Sequence, residues 1–216
     1  MQNQTTEQLR EKLAGKSKRQ LIEEMIVRSP HAIATDKMVQ ALEVFPLWLL
    51  LLAHEHPTKI WLLDRDEKPS SAAILDDTAR QKRWHSLQIS IDECEGLTDL
   101  VDNYIALVVS WRTLLVMRHE FAHALTTFFS PETRARLKAL YEHALAVDRF
   151  VEPLARESIG EYISCALSYY FFPDLRAELA ATDEPLHALV TAMIEQAEEL
   201  SAQLLAPANE GEPAAR

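Results

Sequence analysis

Glycine is scarce in this 216-residue chain, with four in all, at positions 15, 96, 160 and 211. That is too few for a glycine-rich phosphate loop or for a turn-dense all-β barrel. Cysteine is scarcer still: Cys94 and Cys165 are the only two, and neither sits in a CxxC pair, so a disulfide framework is excluded. The longest apolar run, residues 44–53, has about half the length needed to cross a bilayer, and a membrane protein is not expected. Positive charge is also in deficit. Twenty-two Lys and Arg face 33 Asp and Glu, a net charge of −11, which argues against a general nucleic-acid binder that displaces counterions from phosphate. Residues 1–20 are polar and lack the apolar core of a Sec-type signal, which points to the cytoplasm while leaving signal-independent export open.

The chain is otherwise 48% hydrophobic and 25% charged, a globular composition long enough to bury a core. Residues 5–27 read as a charged helix with sparse apolar positions, broken at Ser29-Pro30. A second helix is expected over 36–54, capped by Asp36 and kinked or restarted at Pro46. Three short strands follow, at 59–64, 72–75 and 86–91, the last alternating with period two as an edge strand does. Everything after Leu97 reads as helix: a long apolar one over 104–129, one opened by Ser130-Pro131-Glu132, one over 157–171 and one opened by Asp183-Glu184-Pro185. The expectation is an α+β domain, mainly helical, with a small three-stranded sheet. It would comprise an N-terminal helical extension (1–30), a main domain (31–205) and a disordered tail (206–216).

Chemistry enters at His119-Glu120-Phe121-Ala122-His123, an HExxH pattern. Two histidines at i and i+4 share a helical face and can both donate to one Zn²⁺, while the Glu between them can take a proton from water. Most of the remaining helix circumference is apolar, and a polar stripe on a mostly buried helix needs partners. A catalytic zinc takes a third protein ligand. The metzincin continuation is absent, since Thr126 and Phe129 stand where Gly and His belong. Glu142 and His143 lie near the spacing used by thermolysin-like enzymes, but Tyr141 and Ala146 replace the flanking Asn and Asp of those families. The other candidate region is 156–166, where Glu157, Glu161, Ser164 and Ser168 form one polar stripe, and Gly160 would let a neighbouring helix approach Glu161 closely. His54 and His56 form an H-x-H at a helix end, better suited to capping than to a second metal.

The segments 160–163 and 169–174 resemble the ligand helix of anthrax-lethal-factor-like gluzincins and the related Mlc titration factor A peptidases, with the HEFAH motif upstream. The resemblance runs over roughly residues 36–190. It implies a zincin-like metallopeptidase, with His119, His123 and Glu161 as zinc ligands, Glu120 as general base and a peptide or protein as substrate. Two departures stand out. Those families carry a Tyr seven residues before the ligand Glu, to steady the oxyanion, and this chain has Leu154. The lethal-factor-like enzymes carry an acid four residues after it, and this chain has Cys165. Tyr141, Tyr162, Tyr169 and Arg118 are the candidate replacements for the missing donor. A zinc-holding regulatory or interaction domain of the same fold with little catalysis is therefore the alternative function. An extended substrate is expected to add to the edge strand at 87–91.

Overall fold

The structure, a computed structural model, describes residues 6–13, 15–81, 83–84 and 89–206. Two short helices, α1 (Thr6–Leu13) and α2 (Lys18–Met25), meet at Gly15, whose φ of 79° lies where a side chain would be strained. Ser17 and Gln20 close a reciprocal capping box on α2, so the charged N-terminal stretch forms two helices rather than one. Strand β1 (Ile26–Arg28) follows directly. Helix α3 (Ala32–Leu42) is capped by the ring of His31 rather than by Asp36, which pairs with Arg19 instead. Pro46 opens α4 (Leu47–Glu55), as its fixed φ favours, and His54 lies in the last turn of that helix.

Strand β2 (Thr58–Leu63) matches the first expected strand. Residues 72–75 form a turn rather than a strand. Ala72 and Leu75 are buried there, and the Ile74 carbonyl accepts from the Tyr104 hydroxyl. A short helix α5 (Asp77–Gln81) leads to a two-strand hairpin, β3 (Arg83–Trp84) and β4 (Ile89–Ser90). Of the expected strand 86–91, residues 86–88 lie outside the described residues, and Ile91 already begins a single 3-10 turn.

The largest departure follows. The stretch after Leu97 is not all helix, because β5 (Gly96–Val101) and β6 (Tyr104–Ser110) form a hairpin before the HExxH helix α6 (Leu114–Thr126) begins at the Thr113 cap. Ile105, Leu107, Val108 and Val109 are buried on both faces of the sheet. An apolar run without period two therefore belongs to an interior strand as readily as to a buried helix, and β-branching favours the strand. The sheet consequently has four strands, not three, in the order β1-β2-β6-β5, with β5 the antiparallel edge. The α+β class stands.

The rest is helical: α7 (Pro131–Val147), α8 (Ile159–Tyr170), α9 (Pro173–Thr182) and α10 (Glu184–Leu205). Ser130 caps α7 and Asp183 caps α10, as their sequence contexts foretell. One face of the sheet, through Ile60, Leu62, Leu107 and Val109, packs on Leu21, Ile22, Met38, Leu50 and Phe121. Its other face, through Leu63, Leu97, Ala106 and Val108, is covered by Ala72, Leu75 and Ile91. A third core joins Ala122 of α6 to Tyr162, Ile163 and Ala166 of α8 and to Leu186 and Val190 of α10. Helix α6 is thus wedged between two cores, which leaves only a narrow polar stripe free. Of the expected tail 206–216, all but Ala206 lies outside the described residues. No helix among the described residues is long and apolar enough to cross a membrane.

Two buried polar groups lock this helical layer. Arg118, 4% exposed, donates to the carbonyls of Ala41 and Phe171 at 3.0 and 3.3 Å and lies over the Phe172 ring. Those carbonyls end α3 and α8, so two helix C-termini compensate a guanidinium whose pKa burial pulls down. Asp183 accepts from the Leu186 amide at the start of α10 and from the buried Tyr162 hydroxyl. Tyr162→Phe should cost about 1 kcal/mol of unfolding free energy, and Asp183→Ala about 2–4 kcal/mol, because it also removes the cap and leaves the phenol unpartnered. Urea denaturation of the two variants checks that order.

Candidate metal centre and cleft

His119 and His123 stand one turn apart on the polar stripe of α6, and α8 brings Glu161 opposite them. The Ser158 hydroxyl accepts from the Glu161 amide and so fixes the first turn of α8. Three donor atoms then converge. Glu161 Oε2 lies 3.0 Å from His119 Nε2 and 3.2 Å from His123 Nε2, and the two ring nitrogens are 3.0 Å apart. Burial opposes ionisation of Glu161, yet its two histidine contacts prevail and hold the carboxyl well below the ordinary carboxylate range. Burial likewise works against a charged His119, and Glu161 with Glu120 outweighs it, raising that ring's pKa.

These donors fit a metal ion. Two imidazole nitrogens and a carboxylate oxygen facing one point carry more lone pairs than the protons they could share. Ligands bound tetrahedrally at zinc distances are separated by about 3.3 Å, within a few tenths of an ångström of the spacings here. On its far side His119 Nδ1 meets the Cys165 thiol at 3.9 Å, and His119, Glu161 and Cys165 together also form a cluster close enough to hold a metal.

Glu120 lies beneath this cluster, 7% exposed. Burial raises its pKa, partly offset by His123, His119 and a hydrogen bond from Thr98. Strand β5 shapes its surroundings. Thr98 Oγ1 is 2.8 Å from Glu120 Oε2 and 2.8 Å from the Glu120 carbonyl oxygen. A Cβ on Gly96 would come within 2.6 Å of Glu120 Cγ, so only glycine lets the strand lie this close. The expectation for Gly160 was similar, but a Cβ there would make only ordinary contact with His123, at 3.7 Å. Gly96 is the glycine the site requires.

The four groups line a cleft of ≈ 280 Å³ whose walls are β5, the start of α6 with Leu115 and Val116, and the segment bearing Glu152 and Leu154. Cys94 also lines it, its thiol pushed up to about 11 by burial and by the charges of Glu120 and Glu161. The alternative third ligands lie elsewhere. Glu142 and His143 are exposed on α7, with Glu142 paired to Lys138, and Glu157 is not among the cleft-lining residues. His54 pairs with Glu24, and His56 stacks against Phe128 at 4.9 Å. The candidate oxyanion donors are engaged outside the cleft: Tyr141 with the Arg156 carbonyl, Tyr162 with Asp183, and Arg118 with two helix ends. Tyr169 is buried, its phenol pushed up to about 12 by burial and by Glu152. Gly96 and Thr98 were not singled out from sequence, and Leu97-Thr98-Asp99-Leu100-Val101 carries no period-two alternation that would have marked the strand.

No protein-family model and no curated protein sequence matches the chain. Among solved structures it is similar to the Pro-Pro endopeptidase PPEP-2 from Paenibacillus alvei, with a TM-score of 0.58 and 16% identity over 80% of this chain and 99% of that one. The fold is zincin-like. At this identity the likeness is one of architecture.

Gly96→Ala is expected to lower stability by about 1–3 kcal/mol through overpacking against Glu120. In Gly96→Ala/Glu120→Ala the clash is relieved, so the double variant should be more stable than the sum of the single effects implies. Chemical denaturation of the four proteins of this cycle measures the coupling.

Proposed function

We propose that the protein is a zinc-dependent metallopeptidase that hydrolyses peptide bonds with Glu120 as general base. The observation carrying this reading is the convergence of His119, His123 and Glu161 beside buried Glu120, in a cleft edged by strand β5. His119, His123 and Glu161 would hold the metal. Zinc bound there supplies Lewis acidity, polarising the scissile carbonyl and acidifying water. The fold shared with a Pro-Pro endopeptidase supports the same class of reaction.

Glu120 is suited to both halves of the proton transfer. A carboxylate whose pKa burial has raised takes a proton from the attacking water more readily than an exposed one, and returns it to the leaving amine nitrogen. Thr98 and Gly96 restrict the rotamers open to its side chain, which holds its carboxylate in one orientation within the cleft. Of the expected docking strand at 87–91, residues 87 and 88 lie outside the described residues, and Ile89 and Ser90 pair with β3 instead. We assign that role to strand β5, since among the described residues it pairs only with β6 and its Gly96, Leu97 and Thr98 line the cleft. An extended peptide would add to it antiparallel.

Purified protein is expected to carry about one zinc per chain, lost in His123→Ala, with affinity falling as the pH drops because the raised pKa of His119 favours the protonated ring. Glu120→Gln should retain zinc and lose hydrolysis. Hydrolysis surviving in that variant would overturn the general-base role.

One observation favours a second reading, a zinc-holding interaction domain with weak catalysis. Leu154 lines the cleft at the position of the missing oxyanion donor, and none of the four candidate replacements does. If a donor is all that is lacking, Leu154→Tyr should raise kcat by roughly 10²-fold, the usual worth of one such hydrogen bond, in a steady-state assay on a broad peptide panel.

A further inference from the structure

Glycine and threonine at 96 and 98 share a face of β5 with Leu100, because strand side chains alternate. The first two press on Glu120, so Leu100 extends the same row beyond the general base. Along α6, His119, His123 and Thr127 likewise succeed one another a turn apart. Both rows run from the metal centre into a second depression of ≈ 200 Å³, lined by His56, Leu100, Asn103, Tyr104, Thr127 and Phe128 among others. No lining side chain is a carboxylate, an ammonium or a guanidinium group. Leu100 is 66% exposed, more than any other described large hydrophobic residue but Leu205 near the end of the last helix. On an edge strand such a side chain is a liability unless something covers it.

We propose that this depression is a specificity subsite of the cleft, and that it takes a large apolar or aromatic side chain from the second or third substrate residue before the scissile bond. The inference rests on the peptidase reading above. A peptide antiparallel to β5 directs its N-terminal half toward Leu100 and its C-terminal half toward Gly96. From Thr98, beside the general base, to Leu100 is about 7 Å, a span of two substrate residues. A residue directly opposite Leu100 in an antiparallel pair places its side chain on the same face as Leu100, over the depression. The volume suits one bulky side chain, and the His56 and Phe128 rings, 4.9 Å apart, offer an aromatic surface to it.

The test is cleavage of a pool of end-blocked decapeptides of randomised sequence by the zinc-loaded protein, with the products read by mass spectrometry. Wild type should select Phe, Tyr, Leu, Ile or Met at the second or third position before the cut, by roughly 10-fold or more. Leu100→Arg, at an exposed position, should transfer that selection to Asp or Glu at the same place. Asn103→Trp, which fills the depression from an exposed turn, should shift it to small residues and raise KM for Phe-bearing peptides without lowering kcat. An unchanged profile in both variants overturns the subsite, as does a selection lying only on the C-terminal side of the cut. Cleavage of no peptide by wild-type protein of confirmed zinc content overturns the peptidase reading itself, a separate failure.

Discussion

Three lone pairs aimed at one point are the constraint around which the molecule is arranged. His119, His123 and Glu161 bring their donor atoms within 3.0–3.2 Å of each other, a juxtaposition that is unfavourable unless a proton or a metal ion sits among them. Holding it requires α6 and α8 to be immobile relative to each other. The shared core of Ala122, Tyr162, Ile163 and Ala166 supplies that rigidity, and Arg118 adds a polar tie by donating from α6 to the end of α8. The Tyr162–Asp183 hydrogen bond then couples α8 to the start of α10. Polar groups outside the cleft therefore serve the centre by fixing the helices that carry its donors.

The sheet contributes the other half of the site. Strand β5 is short, antiparallel and at the edge, and the glycine that opens it allows the backbone to lie against Glu120. One strand thereby performs three tasks: it packs Leu97 and Val101 into the outer core, holds the Glu120 carboxylate with Thr98, and lines the cleft with Gly96, Leu97 and Thr98. These tasks fall to alternate residues because the strand has period two.

Much of the site was legible in the sequence, since its chemistry is local. HExxH places His119, Glu120 and His123 on one helical face by spacing alone, and the polar stripe on α8 pointed to the region of Glu161. What the sequence hid was non-local or ambiguous in period. Residues 104–110 are apolar on every side, which suits an interior strand as well as a buried helix, and reading them as helix concealed the β5–β6 hairpin. The role of Gly96 depends on the approach of a strand 24 residues from Glu120, which no spacing rule reports. The placement of Glu142 and His143 likewise depends on the direction in which α7 faces, and both are exposed.

The zinc coordination sphere tests the central claim most directly, and X-ray absorption at the zinc edge on the loaded protein measures it. The expected first shell contains only nitrogen and oxygen at about 2.0–2.1 Å, with two imidazole signatures, leaving Cys165 behind His119 as its neighbour. A sulfur scatterer at about 2.3 Å would show that Cys165 is itself a ligand, and would contradict the assignment of His119, His123 and Glu161 as the metal-binding set.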